Sequence, residues 1–241
     1  MGFVCGCCLF RMIPAFALGF WSIDCGSSSD RRYTDPSTGI IWTPDAILWP
    51  DIGNWSGIVR VKPPANMTNQ MQYSTLRYFR PTRVMDGSKI CYTLPAVGGS
   101  YYLIRASFWM GQKELYPTRV SWQIRFRVIV DTYEGIEVII NFPQRNPWFE
   151  EMFIPARSGR SSVSVCLSAA SDSSDMPFIN SLELRPLPST MKSVEMIKNT
   201  NYALRTILRD DSGSSISFDP PIILRSVIIL YCIRSVAEKI N

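Results

Sequence analysis

The stretch that decides the fold is Tyr101-Tyr-Leu-Ile-Arg-Ala-Ser-Phe-Trp109, preceded by Cys91-Tyr-Thr-Leu-Pro95 and the glycine pair Gly98-Gly99. Read with a period of two, Tyr102, Ile104, Ala106 and Phe108 form a wholly apolar face, while Tyr101, Leu103, Arg105, Ser107 and Trp109 form a mixed one. That is the pattern of a half-buried strand, and its apolar face calls for a second sheet. The next strand is cleaner: Val120, Trp122, Ile124, Phe126, Val128 and Val130 fall on one side, with Ser121, Gln123, Arg125 and Arg127 on the other. Two such strands with turn residues between them predict an all-β, antiparallel β-sandwich of the jelly-roll kind.

Working outward, short strands are expected at Ile58 to Lys62 and Tyr73 to Phe79. Period-two faces recur at Ile136, Val138, Ile140 and Phe142 and at Val163, Val165 and Leu167, and Phe178 to Leu187 reads as one closing strand. Pro81 to Ser88 and Asp131 to Gly135 read as turns, and Ser168 to Asp175 as a loop. The region from Phe20 to Gly57 is rich in Gly, Ser, Asp and Pro and reads as loops and short strands carrying Trp42, Trp49 and Trp55. Residues 1 to 19 are apolar with small residues near Ala15 and Ala17, the form of a signal peptide. The character changes past Pro186-Leu-Pro188. Met191 to Asp211 reads as a short helix or a strand, and Ile222 to Ile233 as an apolar strand lacking its partners. At fewer than about 20 apolar residues it is too short to cross a bilayer. The expected organisation is therefore a leader at 1–19, a sandwich at 20–187 and a separate tail at 188–241.

The 241 residues, 46% of them hydrophobic and 12% aromatic, are enough for a substantial core and exclude a disordered chain. The net charge of +5 is spread along the chain without a basic run, so a nucleic-acid partner is not expected. There is no histidine, which removes the Ser-His-Asp triad, histidine metal sites and the imidazole base together. No metal and no cofactor are expected. Two sequons, Asn54-Trp-Ser56 and Asn66-Met-Thr68, point to a secretory route. With the leader removed, Cys25, Cys91, Cys166 and Cys232 remain and allow three pairings, among which spacing does not choose. Cys25, Cys91 and Cys166 are the disulfide candidates.

Eight blocks in order carry a resemblance: Gly19-Phe-Trp-Ser-Ile-Asp-Cys-Gly26, Tyr33-Thr-Asp35, Thr38-Gly-Ile-Ile-Trp42, Leu76-Arg-Tyr-Phe79, Cys91-Tyr-Thr-Leu-Pro95, Tyr102-Leu-Ile-Arg-Ala-Ser-Phe108, Val165-Cys-Leu167 and Pro177-Phe-Ile-Asn-Ser-Leu-Glu-Leu-Arg-Pro-Leu187. Together they resemble the malectin-like domain of plant receptor-like kinases, especially the leucine-rich-repeat type, over residues 19 to 209. The resemblance implies a β-sandwich similar to the animal lectin malectin, reached through the secretory pathway and displayed outside the cell, at the plasma membrane in full-length relatives. In those relatives two sandwiches stand in tandem ahead of repeats, a membrane span and a kinase. Here the first looks complete, and the second begins at Tyr202-Ala-Leu-Arg-Thr-Ile-Leu-Arg209 and then departs from the pattern. The chain is thus expected to be a non-catalytic ectodomain module.

Two kinds of partner are expected. The first is cell-wall or glycoprotein carbohydrate, which needs rings to stack on sugar faces and a carboxylate or amide for the hydroxyls. The resemblance to malectin places Tyr73, Tyr78, Phe108, Trp109 and Asp175 in that role, although Phe108 also belongs to the apolar strand face. A disaccharide of roughly 23 heavy atoms at about 0.3 kcal/mol each gains about 7 kcal/mol, a Kd near 10 μM at best. The second is a peptide or protein ligand or a co-receptor, with Trp49, Trp55 and Trp109 as loop anchors. A glycosidase would need two separated carboxylates, and the adjacent Glu150 and Glu151 would face opposite sides if they lie in a strand.

Overall fold

The computed structural model describes residues 20–67, 70–80, 89–111, 123–200, 202–211 and 226–234. In chain order its elements are β1 (Trp21–Asp24), β2 (Tyr33–Thr34), β3 (Ile41–Pro44), the helical turn α1 (Asp45–Leu48), β4 (Ser56–Arg60), β5 (Thr75–Phe79), β6 (Ile90–Pro95), β7 (Tyr101–Phe108), β8 (Gln123–Val130), β9 (Ile136–Asn141), β10 (Trp148–Pro155), β11 (Ser162–Ala169), β12 (Phe178–Ile179), β13 (Ser181–Leu187), the short helix α2 (Lys192–Ile197), β14 (Tyr202–Asp211) and β15 (Ser226–Arg234). The expected leader, the turn at Pro81 to Ser88, and Thr68, Val120 and Trp122 lie outside the described residues.

The described residues form three sheets. The largest runs β15-β14-β10-β7-β13-β1-β3-β2, a second runs β6-β11-β8-β9, and a third runs β12-β5-β4. Pairing is antiparallel except between β1 and β3. The alternation in β7 sends Tyr102, Ile104, Ala106 and Phe108 into one core with Ile124, Phe126, Val128 and Val130 from β8. The all-β sandwich expected from the sequence is the observed fold, with the core between the large sheet and the smaller two.

The mixed face of β7 is buried too, which corrects its reading as half-exposed. β7 sits in the middle of the large sheet with β10 and β13 on its flanks. Outside it, Ile197 of α2 packs with Leu103, Phe153 and Leu204 in a satellite core. Arg105 is paired with Glu151 directly across the ladder, at 2.6 Å. The period-two rule identifies the core face; it does not see what later parts of the chain lay on the other one.

The tail differs from expectation in the same way. β14 pairs with β10, and β15 pairs with β14 along its length, so the apolar segment has a partner. Ala203 and Ile233 join the main core. β14 and β15 thus extend the large sheet beyond β10.

Cys91 and Cys166 face each other on β6 and β11 and form a disulfide. Closing a loop of 75 positions stabilises the fold by about 4 kcal/mol on the chain-entropy estimate. Cys25 is free and fully buried, a correction to its place among the disulfide candidates. Next to it, Gly26 has φ +85° and lies where a Cβ would collide with the backbone of Leu76, so only glycine fits.

The expected closing strand is two strands in two sheets. Phe178 and Ile179 pair with Tyr78 and Arg77 of β5, whereas Ser181 onward pairs with β7 and β1. Asn180 occupies the break, with no exposed surface. Its N–H donates to the Ser107 carbonyl at 3.0 Å, and its carbonyl accepts from the Cys25 N–H at 2.8 Å. Its side-chain oxygen accepts from the Trp109 N–H at 2.6 Å, and its amide nitrogen donates to the Thr75 carbonyl at 2.8 Å. Asn180→Ala strands two buried backbone groups and is expected to cost about 2–4 kcal/mol of unfolding free energy. Asn180→Asp, which turns an acceptor toward the Thr75 carbonyl, should cost at least as much. A urea titration in which either variant loses under about 0.5 kcal/mol would contradict the junction.

Candidate functional site

Phe108 ends the inward face of β7, where its ring meets Phe126 at 5.2 Å and Phe178 at 6.2 Å, both edge-on. It is completely buried, so neither ring face is open to a ligand. Trp109 follows it inside: its indole N–H donates to the Lys62 carbonyl at 2.8 Å, which pins the ring against the β4–β5 connection. Tyr73 is buried in the short 3₁₀ turn before β5. Tyr78 is half-buried, and its ring lies across Gly57 on the neighbouring strand, in the space a Cβ would fill. Asp175 is buried and accepts the Arg125 N–H at 2.8 Å, fastening the β11–β12 connection to β8. Of these five, Tyr78 alone has appreciable exposure; the other four side chains lie inside the fold.

The expected loop anchors are also drawn inward. Trp49 meets Tyr92 edge-on at 5.0 Å, and Trp49 and Trp55 pack against the core. Among the described residues, the tryptophan that faces solvent is Trp148, 43% exposed at the start of β10, which sequence reading did not single out. Its indole N–H donates to Glu150 Oε1 at 2.9 Å. Glu150, only 3% exposed, accepts in turn from Arg205 Nη2 at 2.7 Å and Nε at 2.9 Å. A carboxylate held by a guanidinium fork thus fixes the edge of a ring that is part exposed. On the opposite side of β10, exposed Phe149 lies 5.7 Å from the Arg105 guanidinium. The signal was present in Pro147-Trp148-Phe149, where aromatic residues begin a strand beyond the end of the core-facing row.

Glu150 and Glu151 do face opposite sides, as adjacent strand residues must. Each is engaged by its own arginine, Arg205 and Arg105 respectively. They do not converge on a shared space, so the arrangement required for glycoside hydrolysis is not made by this pair.

Between the sheets lies a second charge network. The Arg77 guanidinium forks onto Asp45 and donates to Ser56 Oγ at 2.9 Å, while the Tyr92 hydroxyl donates to Asp45 at 3.2 Å. Arg77 and Asp45 are 2% and 0% exposed. Burial, reinforced by the charge of Asp45, pushes the Cys25 thiol well above its ordinary range and leaves it protonated and unreactive. Asp24, on β1, accepts the Tyr33 hydroxyl at 2.8 Å. Burial, with a smaller push from Asp45, raises the Asp24 carboxyl to about 6 against the hydrogen bonds from Tyr33 and Ser27. No helix of the described residues is long and apolar enough to cross a membrane.

The sequence profile of the malectin-like domain matches residues 23–222. A probable LRR receptor-like serine/threonine-protein kinase of Arabidopsis thaliana is 34% identical over 218 residues, which cover 86% of this chain and 20% of that protein. The chain therefore spans about a fifth of the length of such curated relatives. Among solved structures, the ANX1 ectodomain from Arabidopsis thaliana superposes with a TM-score of 0.56 at 15% identity, covering 81% of this chain and 50% of that one. A structure of the plant peptide RALF23 with FER and LLG2 matches with a TM-score of 0.50 at 17% identity, over 79% of this chain and 47% of that one. These structural likenesses concern the fold.

The Asp24 carboxyl sets a pH response. The unfolded chain releases this proton near 3.8 and the folded chain near 6. Folding takes up a proton in that window, so the contribution is complete below 3.8 and is lost as pH rises through about 6. Asp24→Asn is expected to flatten this part of the stability profile and to gain about 2–3 kcal/mol at about pH 7 relative to the parent. Denaturant titrations across the window check it, and parallel parent and variant profiles would contradict it.

Proposed function

This chain belongs to the malectin-like domain family, and on that premise we propose that it is a non-catalytic recognition module of a cell-surface receptor, binding a peptide or protein outside the cell. The observation that carries the reading is the solvent-facing Trp148, held by Glu150, which Arg205 grips in turn. An exposed aromatic already immobilised by its own hydrogen bond loses little freedom on binding, which is why tryptophan serves so often as an interface anchor. The solved neighbour that contains a peptide and a second protein supports the same class of partner.

The carbohydrate reading has less support. A sugar face needs an open ring, and among the five residues expected to line such a site the available ring is that of Tyr78. Carbohydrate is therefore the second reading, resting on Tyr78 and its seat over Gly57.

The two readings separate in one binding series. The folded chain is titrated with extracellular peptides and receptor ectodomains, and in parallel with glucose disaccharides and cell-wall oligosaccharides. The expected result is a peptide or protein ligand whose affinity falls about 30-fold, roughly 2 kcal/mol, in Trp148→Ala and holds in Tyr78→Phe. Sub-millimolar sugar binding that survives Trp148→Ala and is lost in Tyr78→Ala would overturn it.

A further inference from the structure

The sequon Asn54-Trp55-Ser56 closes a 3₁₀ turn, Pro50–Asn54, and enters β4. Its two functional ends point in opposite directions. Asn54 is exposed, whereas Ser56 is 2% exposed and its hydroxyl is engaged as both donor and acceptor. Ser56 Oγ donates to the Ile52 carbonyl at 2.5 Å and accepts from Arg77 Nη1 at 2.9 Å. Arg77 is in turn locked by Asp45. Trp55, between them, packs against the core, and its carbonyl accepts from the Arg80 N–H. Transfer of a glycan to asparagine requires the Ser or Thr two residues on as well as the acceptor amide. The folded chain presents the amide and hides the hydroxyl.

We propose that Asn54 is an N-glycosylation site whose occupancy is decided by the order of events during folding. It is open only until β4 pairs with β5 and Arg77 closes on Ser56. In the transfer, the Asn54 side-chain nitrogen forms a bond to the anomeric carbon of a glycosyl-pyrophosphoryl-lipid, and that carbon's bond to the phosphate oxygen breaks. The pyrophosphoryl lipid leaves, and the amide proton passes to the transferase. A glycan attached in time remains compatible with the fold, because Asn54 faces solvent. The groups that close the site are near one another in the chain: Arg77 and Asp45 are 32 positions apart and Arg77 and Ser56 are 21 apart.

The proposal relies on the extracellular reading only for where the chain meets the lipid donor. The second sequon supplies an internal reference, because Asn66 is exposed and sits outside the Arg77 network. The full-length chain is presented to purified transferase and lipid-linked donor in two forms, refolded with its disulfide intact and reduced and unfolded. Occupancy at each asparagine is read by mass spectrometry. The expected result is that the unfolded chain is modified at both positions and the refolded chain fails at Asn54. In a secretory cell line, Arg77→Ala is expected to raise Asn54 occupancy several-fold over the parent while leaving Asn66 unchanged. Modification of Asn54 in the refolded chain at the rate of the unfolded one would overturn the proposal. A parent chain modified at neither position in cells, yet behaving as expected with purified transferase, would instead overturn the extracellular reading and leave the folding dependence standing.

Discussion

The fold depends on the way one asparagine ends a strand in one sheet and begins another. Asn180 has no exposed surface, and its backbone and side chain make four hydrogen bonds to Ser107, Cys25, Trp109 and Thr75. Those partners belong to the end of β7, the exit from β1, the residue that leaves β7 and the start of β5. A chain crossing between sheets leaves backbone donors and acceptors that no ladder can satisfy, and burying them unpaired is costly. Asparagine carries one donor and one acceptor group on a short stem and supplies both where they are missing. The positions of Trp109 and of the three-stranded sheet follow from that junction, and with them the burial of much of the expected ligand set.

Charge is handled by the same economy of pairing. Arg77 with Asp45, Arg105 with Glu151 and Arg205 with Glu150 each place a carboxylate of little or no exposure against a guanidinium. Such pairs contribute little net stability compared with a well-packed apolar substitute, but removing one partner leaves a buried charge and is severe. They also give the interior directional contacts that apolar packing lacks. Arg205 and Glu150 do a further thing, since the same carboxylate fixes the Trp148 indole. Glu150 and Glu151 are thus structural, and Glu150 orients the exposed ring that carries the functional proposal.

Much of the fold was legible in the chain. The alternation of Tyr102 to Phe108 and of Ile124 to Val130 reports burial on one face, and that is the face on which the sheets meet. Turn residues at Asp131 to Gly135 placed the β8–β9 connection. What was not legible needed contacts distant in sequence. Arg105 and Ser107 read as a polar face because nothing in their own strand announces Glu151 or Ser181, which pair with them. Phe178 to Leu187 holds no glycine and no cluster of turn residues, so the single polar Asn180 does not announce the change of sheet that occurs there. Cys25 gives no sign that its neighbours are Tyr92 and Asp45 rather than another thiol. The ligand set transferred by resemblance kept the residue types, but the groups that hold Trp109 and Asp175 inside are the Lys62 carbonyl, the Asn180 side chain and the Arg125 N–H, which lie outside the matched blocks or carry no mark of the role.

The most direct test of this account is native-state hydrogen exchange at the amides of Cys25, Trp109 and Asn180, all three hydrogen-bonded at the junction. If the junction joins the sheets into one cooperative body, these amides exchange only through global unfolding, with the same free energy as the central amides of β7 and β13. Exchange of the three at loop-like rates while β7 remains protected would show that the sheets hold together without the junction, and would contradict the account.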